Sequence, residues 1–194
     1  MTGRSMNLGA LLLLAAAAAG CSSATIQQMQ QANQSYSIAP DFKLDRTWRI
    51  AVLPPHNGDE ELSSLYDRAG LLMMKPGCFV LIDRTEVMRI LQEQWSGGPR
   101  ILEPRDVRRL GQSMGAEAVV TVDVTRLEHN DFFKDNPEQR EAKLFVKIIS
   151  VRNAEVLYYA EGQGSSFDGP DAALSGALDM ALAPLIQNGK GQSR

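Results

Sequence analysis

"GQSMGAEAVVTVDVTRLE", residues 111–128, admits two incompatible readings. Gly111, Ser113 and Gly115 fit G-x-S-x-G, the turn that carries the nucleophile of many serine hydrolases. That turn needs a strand, then the serine, then a helix. Here the order is reversed. Upstream, "EPRDVRRLGQSM" opens with Pro104 and spaces Val107, Leu110 and Met114 as a helix does. Downstream, "AEAVVTVDVTRLE" alternates as a strand: Ala118, Val120, Val122 and Val124 face a core, and Thr121, Asp123 and Thr125 face away. Gly115 then sits where a helix C-cap glycine belongs, and Gly111 is a small residue on the buried side that allows close approach. The other triad members are also missing. The only later histidine is His129, at the far end of the strand that carries Asp123. A hydrolase using Ser113 stays as an alternative; no catalytic residue is expected.

The elements around this stretch set the fold class. "WRIAVLPP" (48–55) is a short strand, apolar on both faces and ended by Pro54. "NGDEELSSLYDRAGLLMM" (57–74) is a helix, with Asn57 and Glu60 as a capping box. "PG" at 76–77 stops it, and "CFVLID" (78–83) is a second two-sided strand. Strand, helix and strand make a right-handed βαβ unit. "TEVMRILQEQW" (85–95) is a helix with Thr85 as N-cap, broken by "SGGP". "EAKLFVKIISVRNAEVLYYAEGQG" (141–164) is a β-hairpin turning near Asn153 and Ala154. "GPDAALSGALDMALAPLIQNG" (169–189) is a helix opened by Pro170, kinked at Pro184 and capped by Gly189. The expected fold is α/β (α+β): one domain over 46–189, a mixed sheet of about five strands, and helices packed on it.

Composition fits one globular domain: 194 residues, 44% hydrophobic, 22% charged, net charge −3. No basic excess points to nucleic acid. Arg105, Arg108 and Arg109 are interleaved with Glu103 and Asp106, as on a solvated helix face. His56 and His129 lack metal-ligand spacing, Asp83 reads as helix-capping chemistry, and "GQG" at 162–164 lacks the rest of a dinucleotide fingerprint. No metal or cofactor is expected.

The N-terminus reads as an address. "MTGRSMNLGALLLLAAAAAGC" has Arg4, an apolar run from Leu8 to Ala19, and small residues before Cys21. That run suits a secretory signal over 1–20 better than a membrane span of about 20 apolar residues. Its end, "AAGC", resembles a bacterial lipobox, with Ala18 where Leu is usual. The resemblance implies acylation of Cys21, and several acyl chains anchor stably where one does not. Ser22, not Asp, then implies the outer membrane by resemblance to enterobacterial sorting rules. Acylated Cys21 leaves Cys78 unpaired, a small hydrophobe in "GCFVLI". Residues 21–45 are polar, Gln-rich and without period, a lipidated Cys followed by a tether. Order is expected from Trp48, and 190–194 form a tail.

Four phrases in order resemble the CsgG/HfaB family of bacterial lipoproteins, which includes the curli secretion channel: "RIAVLPP", "VLIDRTEVMRILQEQ", "LGQSMGAEAVVTVDVTRLE" and "KIISVRNAEVLYYAEG". The resemblance covers most of Arg49 to Gly164 and departs at Ala154, where the family carries Gly; Asn153 can take the left-handed conformation and keep the turn. It implies an outer-membrane lipoprotein with a periplasmic domain. The family's channel adds two long hairpins per subunit, yet His129–Arg140 holds only Phe132 and Phe133 as large apolar residues and Gly162–Gly169 only Phe167. A spanning strand takes about 9–11 alternating residues, so no curli-type pore is expected. The expected function is a non-enzymatic module that binds an envelope protein or serves in a secretion or assembly complex. The alternative is a self-assembling homo-oligomeric ring or collar. Candidate contacts are Phe132 and Phe133, which either anchor a partner or fold back, together with Arg105, Arg108, Arg109 and Arg152.

Overall fold

The computed structural model describes residues 35–54, 62–94, 103–128 and 139–190. Six strands form one mixed sheet: β1 (Tyr36–Ile38), β2 (Trp48–Val52), β3 (Phe79–Leu81), β4 (Ala118–Glu128), β5 (Arg140–Ser150) and β6 (Val156–Ser166). Their spatial order is β1-β6-β5-β4-β2-β3. Four helices pack on it: α1 (Ser63–Met74), α2 (Arg84–Gln94), α3 (Pro104–Met114) and α4 (Pro170–Lys190). The α+β architecture is as the sequence predicts, with one strand more.

The chain's path explains where the helices lie. From β2 it crosses by α1 to β3, which pairs parallel with β2 on one side. It then returns by α2 and α3 to β4, parallel with β2 on the other side. Two right-handed crossovers in opposite directions put their helices on opposite faces. Hence there are two cores. One joins α1 and α4 to Ile50, Val52, Val120, Leu144, Val146, Ile148 and Tyr158. The other joins α2 and α3 to Ala51, Leu53, Val119 and Val151.

The quoted stretch folds as helix, glycine, strand. Pro104 opens α3 behind Glu103, whose carboxylate and that of Asp106 complete a capping box. Gly115 ends the helix at φ 64°, left-handed, as the C-cap reading requires. Gly111 lies against Val151: a Cβ there would overlap Val151 Cγ2 and stand 2.9 Å from Cγ1. The glycines around Ser113 therefore end a helix and seat it on the β5–β6 turn.

"GQG" at 162–164 has a packing role too. A Cβ on Gly162 would overlap the Ala177 carbonyl oxygen, and one on Gly164 the Ala173 carbonyl oxygen. The backbone of α4 thus rests directly on the backbone of β6, flanked by buried Ala173, Ala177 and Ala181. α4 runs on through Pro184, which cannot donate to the preceding turn. Beside that gap the buried Tyr158 hydroxyl donates to the Ala181 carbonyl at 2.5 Å.

Five expectations need correction. Order is already present ahead of Trp48, from the first described residue, Ser35: β1 pairs antiparallel with β6, Ala39 N–H donates to the Leu157 carbonyl (2.8 Å), and Phe42 and Leu44 are buried. Phe42 meets Trp48 edge-on at 5.1 Å between centroids, and the Arg46 guanidinium lies 3.6 Å from the Trp48 ring centroid while pairing with Glu117 at 2.7 Å. Thr85 is not the N-cap of α2; Asp83 is, its carboxylate accepting the Thr85 N–H at 2.8 Å. α1 begins at Ser63 behind Leu62 without a side-chain cap, and Asn57 and Glu60 lie outside the described residues. At the hairpin turn Ala154, not Asn153, takes the left-handed conformation (φ 60°): the Ala154 N–H donates to the Ser150 carbonyl and the Ser150 N–H to the Glu155 carbonyl, a turn that ends on the left-handed residue ahead of Glu155. Gly189 is no cap; it lies within α4, its Cα side pressed on Pro76.

Candidate functional site

β4, β5 and β6 are each eleven residues long, against five for β2. α2 and α3 cover only the end of them nearest β2. On that face the remaining length has no described helix over it. The side chains there form a grid fixed by the registers: Thr121, Lys147 and Tyr159 in one row, Asp123, Phe145 and Glu161 in the next, then Lys143 beside Gln163.

Contacts run along the diagonals, as long side chains on a twisted sheet permit. Lys147 Nζ meets Asp123 Oδ2 at 2.8 Å, and Lys143 Nζ meets Glu161 Oε1 at 2.8 Å. Phe145 and Tyr159 stack at 5.4 Å between centroids, 24° from parallel. Each ring also has an ammonium over it, Lys143 at 5.5 Å from Phe145 and Lys147 at 5.9 Å from Tyr159. The hydrogen bond from Lys143, then that from Gln163, holds the Glu161 carboxyl below its ordinary range. Tyr159 keeps 37% of its surface exposed. The patch is a stacked aromatic pair framed by two ion pairs of opposite sense, neutral as a whole. That composition matches a protein interface, aromatic at the centre and polar at the rim.

The structure separates the residues singled out from sequence. Arg105, Arg108 and Arg109 are exposed on α3, Arg105 paired with Glu103 at 2.8 Å and Arg109 with Asp106 at 3.8 Å. Arg152 is exposed on the β5–β6 turn, next to the Val151 on which α3 rests. α3 and the turn thus meet, forming the wall beside the open grid. Cys21, Phe132, Phe133, His56 and His129 lie outside the described residues. Ser113 is exposed, and its hydroxyl accepts from the Gln94 side-chain amide at 2.7 Å. Asp123 belongs to the grid, paired with Lys147. Among the described residues no three His, Cys, Asp or Glu side chains stand together as metal ligands.

Of the grid, sequence alternation marks Asp123 only as pointing away from the core. The signal for the rest lies in "AKLFVKI", where Lys143, Phe145 and Lys147 alternate with Ala142, Leu144, Val146 and Ile148.

The sheet is helix-covered on one face and half-covered on the other, in strand order β1-β6-β5-β4-β2-β3. The chain's fold is similar to that of PelC. A dodecamer of a PelC point variant from Paraburkholderia phytofirmans aligns at TM-score 0.52 and 13% identity, over 79% of this chain and 97% of that one. Lipoprotein GNA1162 from Neisseria meningitidis aligns at TM-score 0.50 and 17% identity, over 73% and 99%. The LpoB C-terminal domain from Salmonella enterica aligns at TM-score 0.46 and 14% identity, over 73% and 91%. No family model and no curated protein matches the chain. At these identities the likeness is one of fold.

Proposed function

We propose that this chain is a non-catalytic lipoprotein of the bacterial cell envelope whose domain binds a partner protein through the open half of its sheet. The observation that carries the reading is the Phe145–Tyr159 pair, stacked on a sheet face with no described helix over it. The fold likeness to lipoprotein GNA1162 and the lipobox-like end of residues 1–21 support the envelope part. On this reading Cys21 carries the acyl chains, residues 22–34 set the reach, and anchoring in the outer membrane raises the effective concentration at the partner. The α3 wall with Arg105, Arg108 and Arg109, and Arg152 beside it, would meet the partner's rim. Among the described residues no helix is long and apolar enough to cross a membrane.

The resemblance to the CsgG/HfaB family supports a secretion or assembly complex as the setting. Residues 162–166 belong to β6 and α4 follows at Pro170, so that stretch holds no inserted hairpin. The PelC dodecamer favours a second reading, a ring of copies.

A photo-crosslinking amino acid at position 159, in intact cells of the source bacterium, tests the first reading. One discrete adduct, lost on Phe145→Ala, is expected. The same probe at the helix-covered Val119 gives none. Equal labelling at both positions, or none at 159, refutes it.

A further inference from the structure

The sheet ends on one side in β3, whose outer edge is bare among the described residues. Trp48 N–H donates to the Cys78 carbonyl (2.8 Å) and Ile82 N–H to the Ile50 carbonyl (2.9 Å), so Cys78, Val80 and Ile82 face β2. Strand residues alternate sides, so Phe79 and Leu81 turn their N–H and C=O groups outward, where no described residue bonds them. Natural edges are guarded by Lys, Pro, a bulge or a covering element. β3 is short, three residues, but within the described residues it carries no Lys, Pro, bulge or cover. Its outward side chain is Val80, 53% exposed. On the other face Leu71 and Met74 of α1, 61% and 50% exposed, overhang the same edge and line a groove of about 470 Å³ with Gly70, Tyr66 and Leu81.

We propose that two copies of this chain join at this edge, β3 against β3, across a twofold axis at Val80. The backbone dictates the register. With Val80 opposite the partner's Val80, Phe79 faces the partner's Leu81. Both outward residues of each strand then exchange N–H···O=C bonds, four in all. The two Val80 side chains form the close, non-hydrogen-bonded pair on one face. On the other, Leu71 and Met74 fill the groove beside their counterparts on the partner's α1.

Charge complementarity selects the antiparallel sense. Exposed Lys75 precedes the strand and exposed Asp83 follows it. Antiparallel pairing sets the Lys75 end of each strand beside the Asp83 end of its partner. Parallel pairing would set Lys beside Lys and Asp beside Asp. The contact is isologous: it uses the β3 edge of both copies and stops at two. It involves no residue of the open grid, so it stands or falls apart from the partner-binding reading.

Native mass measurement of the full acylated chain, taken from membranes in mild detergent, is the first test, paired with mild oxidation of Val80→Cys. A dimer is expected, and Val80→Cys should convert it to a covalent dimer while the wild type, with Cys78 buried, does not cross-link. Val80→Lys should raise the dimer dissociation constant by about tenfold or more by setting like charges face to face. Its melting temperature measured as a monomer should hold, since Val80 packs on little within one copy. A monomer at micromolar concentration overturns the proposal. So does a ring mass in which Val80→Cys fails to cross-link, because a head-to-tail ring never brings Val80 to Val80.

Discussion

Gly162→Ala should cost this fold far more than one methyl group suggests. The added Cβ would overlap the Ala177 carbonyl oxygen and stand 2.8 Å from its carbon and 3.0 Å from Ala181 Cβ. Carbon contacts settle near 3.5–4.0 Å, so α4 must retreat by about 1 Å. A gap of that size forfeits a quarter to a half of each affected contact. The side chains that lose contact are Ala177, Leu178, Ala181 and Leu182, all 1% exposed or less. Neither obstacle is a flexible side-chain end, so the strain has no cheap outlet. Overpacking of this kind costs about 1–3 kcal/mol, and the Ala preference over Gly in a strand returns only about 0.5–1. With the overpacking at the upper end of that range, we expect a net loss of about 1–2 kcal/mol, or a Tm lower by roughly 2–8 °C for a chain of this size. Gly176→Ala is the matched control on the same seam. Its Cβ would meet only the Gly164 Cα at 3.9 Å, so it should stabilise α4 by about 0.5–1 kcal/mol. Urea unfolding followed by circular dichroism measures both. A Gly162→Ala midpoint equal to wild type, or both variants shifting the same way, refutes the backbone-on-backbone account.

Gly111→Ala should lose about 1–3 kcal/mol through Val151, and Val151→Ala should relieve it, a double-mutant coupling that chemical denaturation can read. Tyr158→Phe should cost about 1 kcal/mol or more, seen as a lower urea midpoint at unchanged slope, because the Ala181 carbonyl loses a buried donor. Glu117 accepts the Arg49 N–H and pairs with Arg46, so its folded pKa lies below the ordinary carboxylate value. Its stabilisation is therefore full above about pH 4.3 and fades as pH falls through the lower folded value, so the Tm gap between wild type and Glu117→Gln should be flat near neutrality and close in acid.

How much of this is legible in the sequence depends on how local each signal is. The order helix, Gly115, strand can be read because a C-cap glycine and a two-residue alternation act within a few positions. β1 cannot. Three residues, Tyr36–Ile38, form a strand only because β6 offers its edge. Phe42 and Leu44 in "DFKLD" resemble a spacer until Trp48 and Phe79 supply the aromatic company that buries them. "GQG" lacks a nucleotide fingerprint, which the sequence shows, but its purpose lies in α4, a separate element. The turn hides its left-handed residue for a different reason: Asn153 suits φ > 0, yet the backbone bonds that tie Ala154 and Glu155 to Ser150 place that conformation at Ala154. The grid is half legible. Alternation shows that Lys143, Phe145 and Lys147 share a face, but only the path of α2 and α3 shows that these helices stop short of it.

β1 also has a mechanical consequence. A pull on the chain ahead of Ser35 loads its short ladder first, where Glu161 N–H holds the Ser35 carbonyl at 2.9 Å and three register pairs follow. These bonds can peel one at a time. Once they open, Tyr36–Asp41 come free as about 20 Å of chain contour, at roughly 3.3–3.6 Å per residue. Only then does the load reach Phe42 and Trp48, with Arg46 clamped to Glu117. The domain can therefore yield first at its N-terminal edge, giving up only Ile38 and Ala39 from one core before the rest of that core, or the other, is loaded.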